Sequence, residues 1–345
     1  MPRRVVRYRF DWLLLVIAAP LAAQDRVLIQ QPGGSRFPIA GYVEDYNGRE
    51  LILKIKSKTP ARRYPRSEII EVTTEYTPHH EQGRKLFEAG KIAAANIEFA
   101  AALQEEDRPW VRREILASQV RCRLWSGEYI EAVSRFLPIV QSDPETFHYG
   151  LVPLNWTIDA PAEKMKLEAV QWMAKSASPL SRLIGASWLL TEDELSGDAE
   201  KTLKRLAREP EVSVQRLAQM QLWRLKLLGE GFVEPDEIQQ WMKFVEGLPT
   251  ELRGGAHFVI GQAWRKRQEY EQAARAYLWL PLVFDSDRWL SSQACYEAAE
   301  SLLLAGDRLQ ATNLYSEVVF RYGDTPWGTK AEKQWNALRI GKASE

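Results

Sequence analysis

The spacing of apolar residues changes once along this chain, and the change divides it. Between Arg26 and about Tyr76 the period is two. Leu51, Leu53 and Ile55 alternate with Ile52, Lys54 and Lys56, so one face is apolar and the other mostly charged. This predicts strands at 26–30, 41–46, 51–55 and 67–74. Asn47-Gly48 between two of them predicts a tight hairpin with positive φ at both turn positions. Pro60 and Pro65 are expected in a connection between strands. Four or five strands within 25–76 suggest a small all-β domain, a closed or half-closed barrel.

After Pro78 the period becomes 3.6 and the chain repeats itself. Counting from Gly90, Ala95, Phe99 and Ala102 follow at +5, +9 and +12. Gly127 is followed at the same offsets by Ala132, Phe136 and Ile139. Gln268 leads in the same way to Ala273, Tyr277 and Leu280, and Gly306 to Ala311, Tyr315 and Val318. Seven residues before each origin stand Gly83, Val120, Gly261 and Ala299; four before stand Leu86, Arg123, Trp264 and Leu302. Such a pattern predicts helical hairpins. A turn residue ends the first helix, an alanine on the second permits close approach, and an aromatic one turn later fills the space between hairpins. The spacing resembles that of the tetratricopeptide repeat, with Pro144 at the closing proline of the second unit. Departures are Gln268 in place of glycine, Arg123 and Arg308 at apolar positions, and repeat distances of 37 and 38 residues. The end of the chain, Tyr322-Gly323-Asp324-Thr325-Pro326-Trp327 and a following helix, resembles the capping end of bacterial periplasmic members of that family. Upstream, "IAGYVEDYNGRELILKIKS" and "YPRSEIIEV" resemble an Sm-like small barrel.

Residues 146–250 are helical without this rule. Ser181-Arg182-Leu183 and Gln215-Arg216-Leu217 are similar to HEAT-type repeats, and Gly197, Pro210, Gly229 and Pro235 punctuate the helices. The predicted fold is mainly α, an α-α superhelix of tetratricopeptide-like hairpins behind a small β-domain. Its parts are 1–24, 25–76, a hairpin pair over 77–145, the irregular 146–250, and a second pair with its cap over 251–345.

The first segment reads as an address. Arg3, Arg4, Arg7 and Arg9 precede an apolar run from Trp12 to Ala23, which ends in small residues before Gln24. At about 1.5 Å per helical residue the run is too short to span a hydrocarbon core of about 30 Å. Export to the periplasm or cell surface is therefore expected, with no stable membrane span after cleavage. Lysine plus arginine and aspartate plus glutamate both total 46, so there is no global basic field of the kind nucleic-acid binders use, and none is expected as a partner. The run Lys54, Lys56, Lys58, Arg62, Arg63 and Arg66 is acid-free. It reads either as a solvated face or as a contact with an anionic surface such as lipid headgroups or envelope polymer. The pairing of Cys122 and Cys295 stays open.

Motifs that carry chemistry are missing: no phosphate loop, no His-Glu-x-x-His, no Gly-x-Ser-x-Gly and no Cys-x-x-Cys. His79-His80 reads as a helix start with solvent-facing rings rather than a metal site. No cofactor and no metal are expected, and the chain reads as a non-catalytic scaffold for a protein or peptide. An envelope hydrolase with a hidden carboxylate pair is a lesser alternative. Of thirteen tryptophans, Trp172, Trp188, Trp223, Trp264 and Trp335 fit core positions, and Trp110, Trp125 and Trp289 fit an interface. In the tetratricopeptide family the first helices line the concave face. That resemblance assigns partner contacts to His80, Arg84, Arg121, Trp125, Phe258, Gln262, Arg265, Tyr296 and Glu300.

Overall fold

The computed structural model describes residues 24–31, 33–56, 58–175 and 178–342; the expected export segment, 1–24, lies outside them but for Gln24. The described chain is mainly helical, with one five-stranded antiparallel sheet at its start. The strands are β1 (Asp25–Gln30), β2 (Arg36–Tyr46), β3 (Glu50–Lys54), β4 (Arg62–Pro65) and β5 (Ile69–Thr73), in the order β4-β3-β2-β1-β5. β2 is shared: its first part pairs with β1, its last part with β3, and a register shift between Val43 and Asp45 lets it bend. β4 and β5 remain the two edges, so among the described residues the sheet does not close.

Two expectations change here. Pro65 lies inside β4 rather than in a connection, which an edge strand tolerates because one side has no ladder bond to lose. The Asn47-Gly48 hairpin forms, but Gly48 does not have positive φ. The turn is held instead by Asn47 Oδ1, which accepts from the amides of Arg49 and Glu50 at 3.0 Å each. Glycine is needed at 48 for close approach: a Cβ there would collide with the Glu145 carbonyl.

The helices are α1 (Pro78–Glu88), α2 (Ile92–Glu105), α3 (Pro109–Trp125), α4 (Tyr129–Ser142), α5 (Glu163–Lys175), α6 (Pro179–Leu189), α7 (Ser196–Leu206), α8 (Val212–Leu228), α9 (Pro235–Glu246), α10 (Gly254–Lys266), α11 (Tyr270–Val283), α12 (Arg288–Leu304), α13 (Arg308–Tyr322) and α14 (Pro326–Lys342). The four sequence origins are all left-handed: Gly90 and Gly127 at φ 72°, Gln268 at 64° and Gly306 at 88°. Each closes a first helix in the same way. The residue after the origin donates to the carbonyl four before it: Lys91 to Leu86, Glu128 to Arg123, Glu269 to Trp264 and Asp307 to Leu302, all at 2.9–3.0 Å. These are Schellman ends. The residues at +5, +9 and +12 are fully buried in all four units. At −7 small residues make room for the aromatic: a Cβ on Gly83 would lie 2.8 Å from the Phe99 ring, and one on Gly261 2.6 Å from Tyr277. The misfit arginines find partners, Arg123 on Glu128 and Arg308 on the Leu338 carbonyl.

Buried cores run across the boundaries between the predicted parts. Val27, Ile29, Val43, Leu51, Leu53 and Ile69 of the sheet share one core with Phe99, Trp110, Val111 and Ile115 of the first hairpins. Trp110, expected at an interface, is buried there, and its indole N–H donates to the Val43 carbonyl at 3.2 Å. A second core runs from α3 through α12 across both predicted boundaries. Cys122 and Cys295 are buried and unpaired. In 146–250, Arg224 is wholly buried and holds the segment together. It donates to the carbonyls of Thr157 and Ser187 and to Gln221 Oε1. Finally the chain returns on itself, and α12 packs against α3.

Candidate binding groove

Where α3 faces the last hairpins, two cavities of about 400 and about 390 Å³ adjoin; Arg121 and His148 line both. The smaller is walled by Tyr76, His80 and Arg84 from the start of the helical part and by Glu114 and Ser118 from α3. The larger runs along the 3-10 turn Phe147–Leu151 to Trp156, Leu252, Phe284 and Asp287. One face is therefore cationic and aromatic, and the far end is apolar with carboxylates at its rim.

Arg121 sits at the junction. Much of its side chain touches solvent, yet protein surrounds its charge closely enough that desolvation lowers its pKa, partly offset by Glu114 and Asp285. Among the described residues it makes no hydrogen bond and no ion pair. Two imidazoles beside it are also short of partners: His80 Nδ1 and His148 Nε2 are buried without a hydrogen bond. Burial lowers the His80 pKa to about 4, helped by Arg84, and the His148 pKa to about 3, helped by Arg121 and Arg113. Both rings are therefore neutral near pH 7. Glu114 is pushed upward by burial and accepts from the Tyr76 hydroxyl at 3.0 Å. The Arg84 guanidinium lies 5.6 Å from the Tyr76 ring centre.

Three of the nine expected contact residues, His80, Arg84 and Arg121, thus meet in one groove. His80 corrects the expectation of a solvent-facing ring: it packs on Tyr76 at 4.3 Å and edge-on to Phe99 at 5.9 Å. Its neighbour His79 is the surface member, paired with Glu98 at 2.6 Å. Trp125 is half-buried between Phe87 and Arg288, beside the groove rather than in its wall. Phe258 is core, not contact surface. It is 1% exposed and edge-on to Tyr277, because α10 is covered by α8, α9 and α11 together. Gln262 is half-buried, its Oε1 without a hydrogen bond. Arg265, Tyr296 and Glu300 form a separate cluster that satisfies itself. Arg265 pairs with Glu297, Tyr296 packs against Tyr315 and Trp327, and Glu300 accepts from the Tyr315 hydroxyl at 2.5 Å. Among the described residues these nine side chains do not line up as one continuous strip over the four first helices.

The groove also uses residues the sequence did not single out for contact. In the sequence Tyr76 marks only the end of the β-domain. Glu114 and Phe284 carry no motif, and His148 stands alone in sequence. The basic run of the sheet is partly spent. Lys54 pairs with Glu44 and Arg63 with Glu50, and Arg66 lies over the rings of Tyr46 and Phe147. Among the described residues no group of three His, Cys, Asp or Glu side chains is placed to hold a metal ion, and no helix is long and apolar enough to cross a membrane. No protein-family model matches the chain, and no curated protein matches it.

Proposed function

We propose that this is an exported, non-catalytic scaffold of the bacterial cell envelope, a tetratricopeptide-like superhelix that holds a peptide or an extended protein segment in the groove beside α3. The observation that carries the reading is the convergence of Arg84 and Arg121 with His80 and His148, each of which has one buried ring nitrogen without a hydrogen bond among the described residues, on one groove that continues into an apolar wall. Unpaired guanidinium and imidazole groups next to aromatic surface are what an extended chain with carbonyls, carboxylates and apolar side chains can satisfy. The Sm-like sheet is an accessory that covers the first hairpin. The test is selection from a displayed random-peptide library. The wild-type protein enriches a set of sequences, and the double variant Arg84→Glu/Arg121→Glu, folded by circular dichroism, does not. No enrichment by the wild type overturns the reading.

A second reading rests on Lys56, Lys58 and Arg62, which, unlike Lys54 and Arg63, make no ion pair among the described residues. They form a short cationic edge suited to an anionic envelope polymer. Co-sedimentation with isolated envelope polymer, lost in the triple glutamine variant, separates this attachment role from the groove.

A further inference from the structure

A different cavity, of about 360 Å³, lies where the first hairpin pair meets the last. Its wall gathers Tyr129, Trp156, Trp188, Trp289 and Trp327 around one carboxylate, Asp287. These six come from five parts of the chain: the start of α4, the extended segment after the 3-10 turn, α6, α12 with its cap, and α14. The rings are held in place. The six-membered ring of Trp289 lies against Gly127, where a Cβ would come within 2.8 Å of it. Trp188 donates its indole N–H to the Pro153 carbonyl at 3.0 Å and stands edge-on to Tyr129 at 5.2 Å.

Asp287 has hydrogen bonds and no counter-ion. Its oxygens accept from the Tyr129 hydroxyl at 3.0 and 3.2 Å and from the Leu290 amide at 2.9 Å. Among the described residues no cation lies within ion-pair distance of it. The helix cap it provides needs only an oxygen acceptor, which asparagine or serine supplies without a charge. A partly buried carboxylate without a cation is costly, and the cavity wall beside it carries indoles, whose π faces attract cations. The chain already uses one of those rings this way: Lys330 Nζ lies 3.9 Å from the Trp327 ring centre. Asp159, also in the cavity wall, adds a second carboxylate.

We infer that this cavity binds an alkylammonium cation, a trimethylammonium head or its close kin, with Asp287 as the counter-charge and the indoles as the cage. The cavity shares Trp156 and Asp287 with the far end of the groove, but the proposal does not depend on the peptide reading. Its source is either a free small molecule or a methylated lysine side chain of a partner.

Titration of the wild-type protein, followed by tryptophan fluorescence and calorimetry, tests it. The probes are choline, N-acetyl-trimethyllysine amide and the uncharged isostere 3,3-dimethylbutan-1-ol. A saturable ammonium signal is expected, with the isostere at least about tenfold weaker. Asp287→Asn, which keeps the cap, should lose at least about tenfold in affinity while staying folded. Choline binding assigns a free cation; binding of the trimethyllysine derivative alone assigns a side chain. Equal binding of the isostere, or no saturable binding of either ammonium up to about 10 mM, overturns the proposal. The comparison of choline with its isostere needs no variant, so a folding defect in Asp287→Asn leaves the decision intact.

Discussion

The hydroxyl of Tyr129, the first residue of α4, donates to both carboxylate oxygens of Asp287, the cap of α12, and so ties the first hairpin pair to the last. Burial raises the Asp287 pKa from 3.8 to about 6. A group whose folded pKa is raised stabilises the fold when protonated, and that contribution is lost as pH rises through the interval between 3.8 and about 6. Asp287→Asn removes the charge and keeps the cap. It should therefore be more stable than wild type at pH 7.5, by up to about 3 kcal/mol, with the difference shrinking to well under about 1 kcal/mol near pH 4. Urea titrations at the two pH values measure it. A variant less stable than wild type at pH 7.5 would show that the ionised carboxylate is compensated.

The sheet and the first hairpins share a core, so residues 78–345 alone should not melt as one cooperative unit. Trp110→Ala in the full chain should cost about 3–5 kcal/mol, since it empties that core and leaves the Val43 carbonyl without its donor. Calorimetry of the truncation and chemical denaturation of the variant check both. A cooperative, wild-type-like transition in 78–345 would make the sheet a separable accessory.

Gln268 holds φ 64° where the other three units have glycine. A side chain in the left-handed region costs about 1 kcal/mol relative to glycine. Gln268→Gly should stabilise the protein by roughly that amount, and Gly90→Gln should destabilise it similarly. Neither change touches a buried side chain, so melting temperatures read the backbone term directly.

Arg224 is a buried cation with no carboxylate partner among the described residues; it bonds two backbone carbonyls and an amide. Burial lowers its pKa to about 9. Arg224→Ala strands those acceptors and leaves a void, at a cost of about 3–5 kcal/mol. Increased protease cleavage within 152–162 should accompany it, because Thr157 and its neighbours lose their anchor.

The hairpins were legible because their signals are local. The left-handed residue, the small residue seven before it and the aromatic nine after it lie within one unit, and even Gln268 could be placed by register. Burial was legible only in part. A helical period says which residues share a face, not whether a second helix covers that face. For this reason Phe258, His80 and Trp110 lie deeper than their spacing implied. The middle segment depends on contacts such as Arg224 with Thr157, which leave no periodic trace. His148 reaches the groove from a 3-10 turn whose place is set by packing alone, and no pattern in the sequence announces it.

Partner binding should use the groove at Arg121 and not the cluster at Arg265, whose guanidinium is already paired with Glu297. Calorimetric titration of one library-selected peptide into wild type, Arg121→Glu and Arg265→Glu separates the two surfaces. Binding should weaken by about 2 kcal/mol or more, roughly thirtyfold, in Arg121→Glu and by less than about threefold in Arg265→Glu. Loss of binding in Arg265→Glu with wild-type affinity in Arg121→Glu would put the partner on the Arg265 cluster instead.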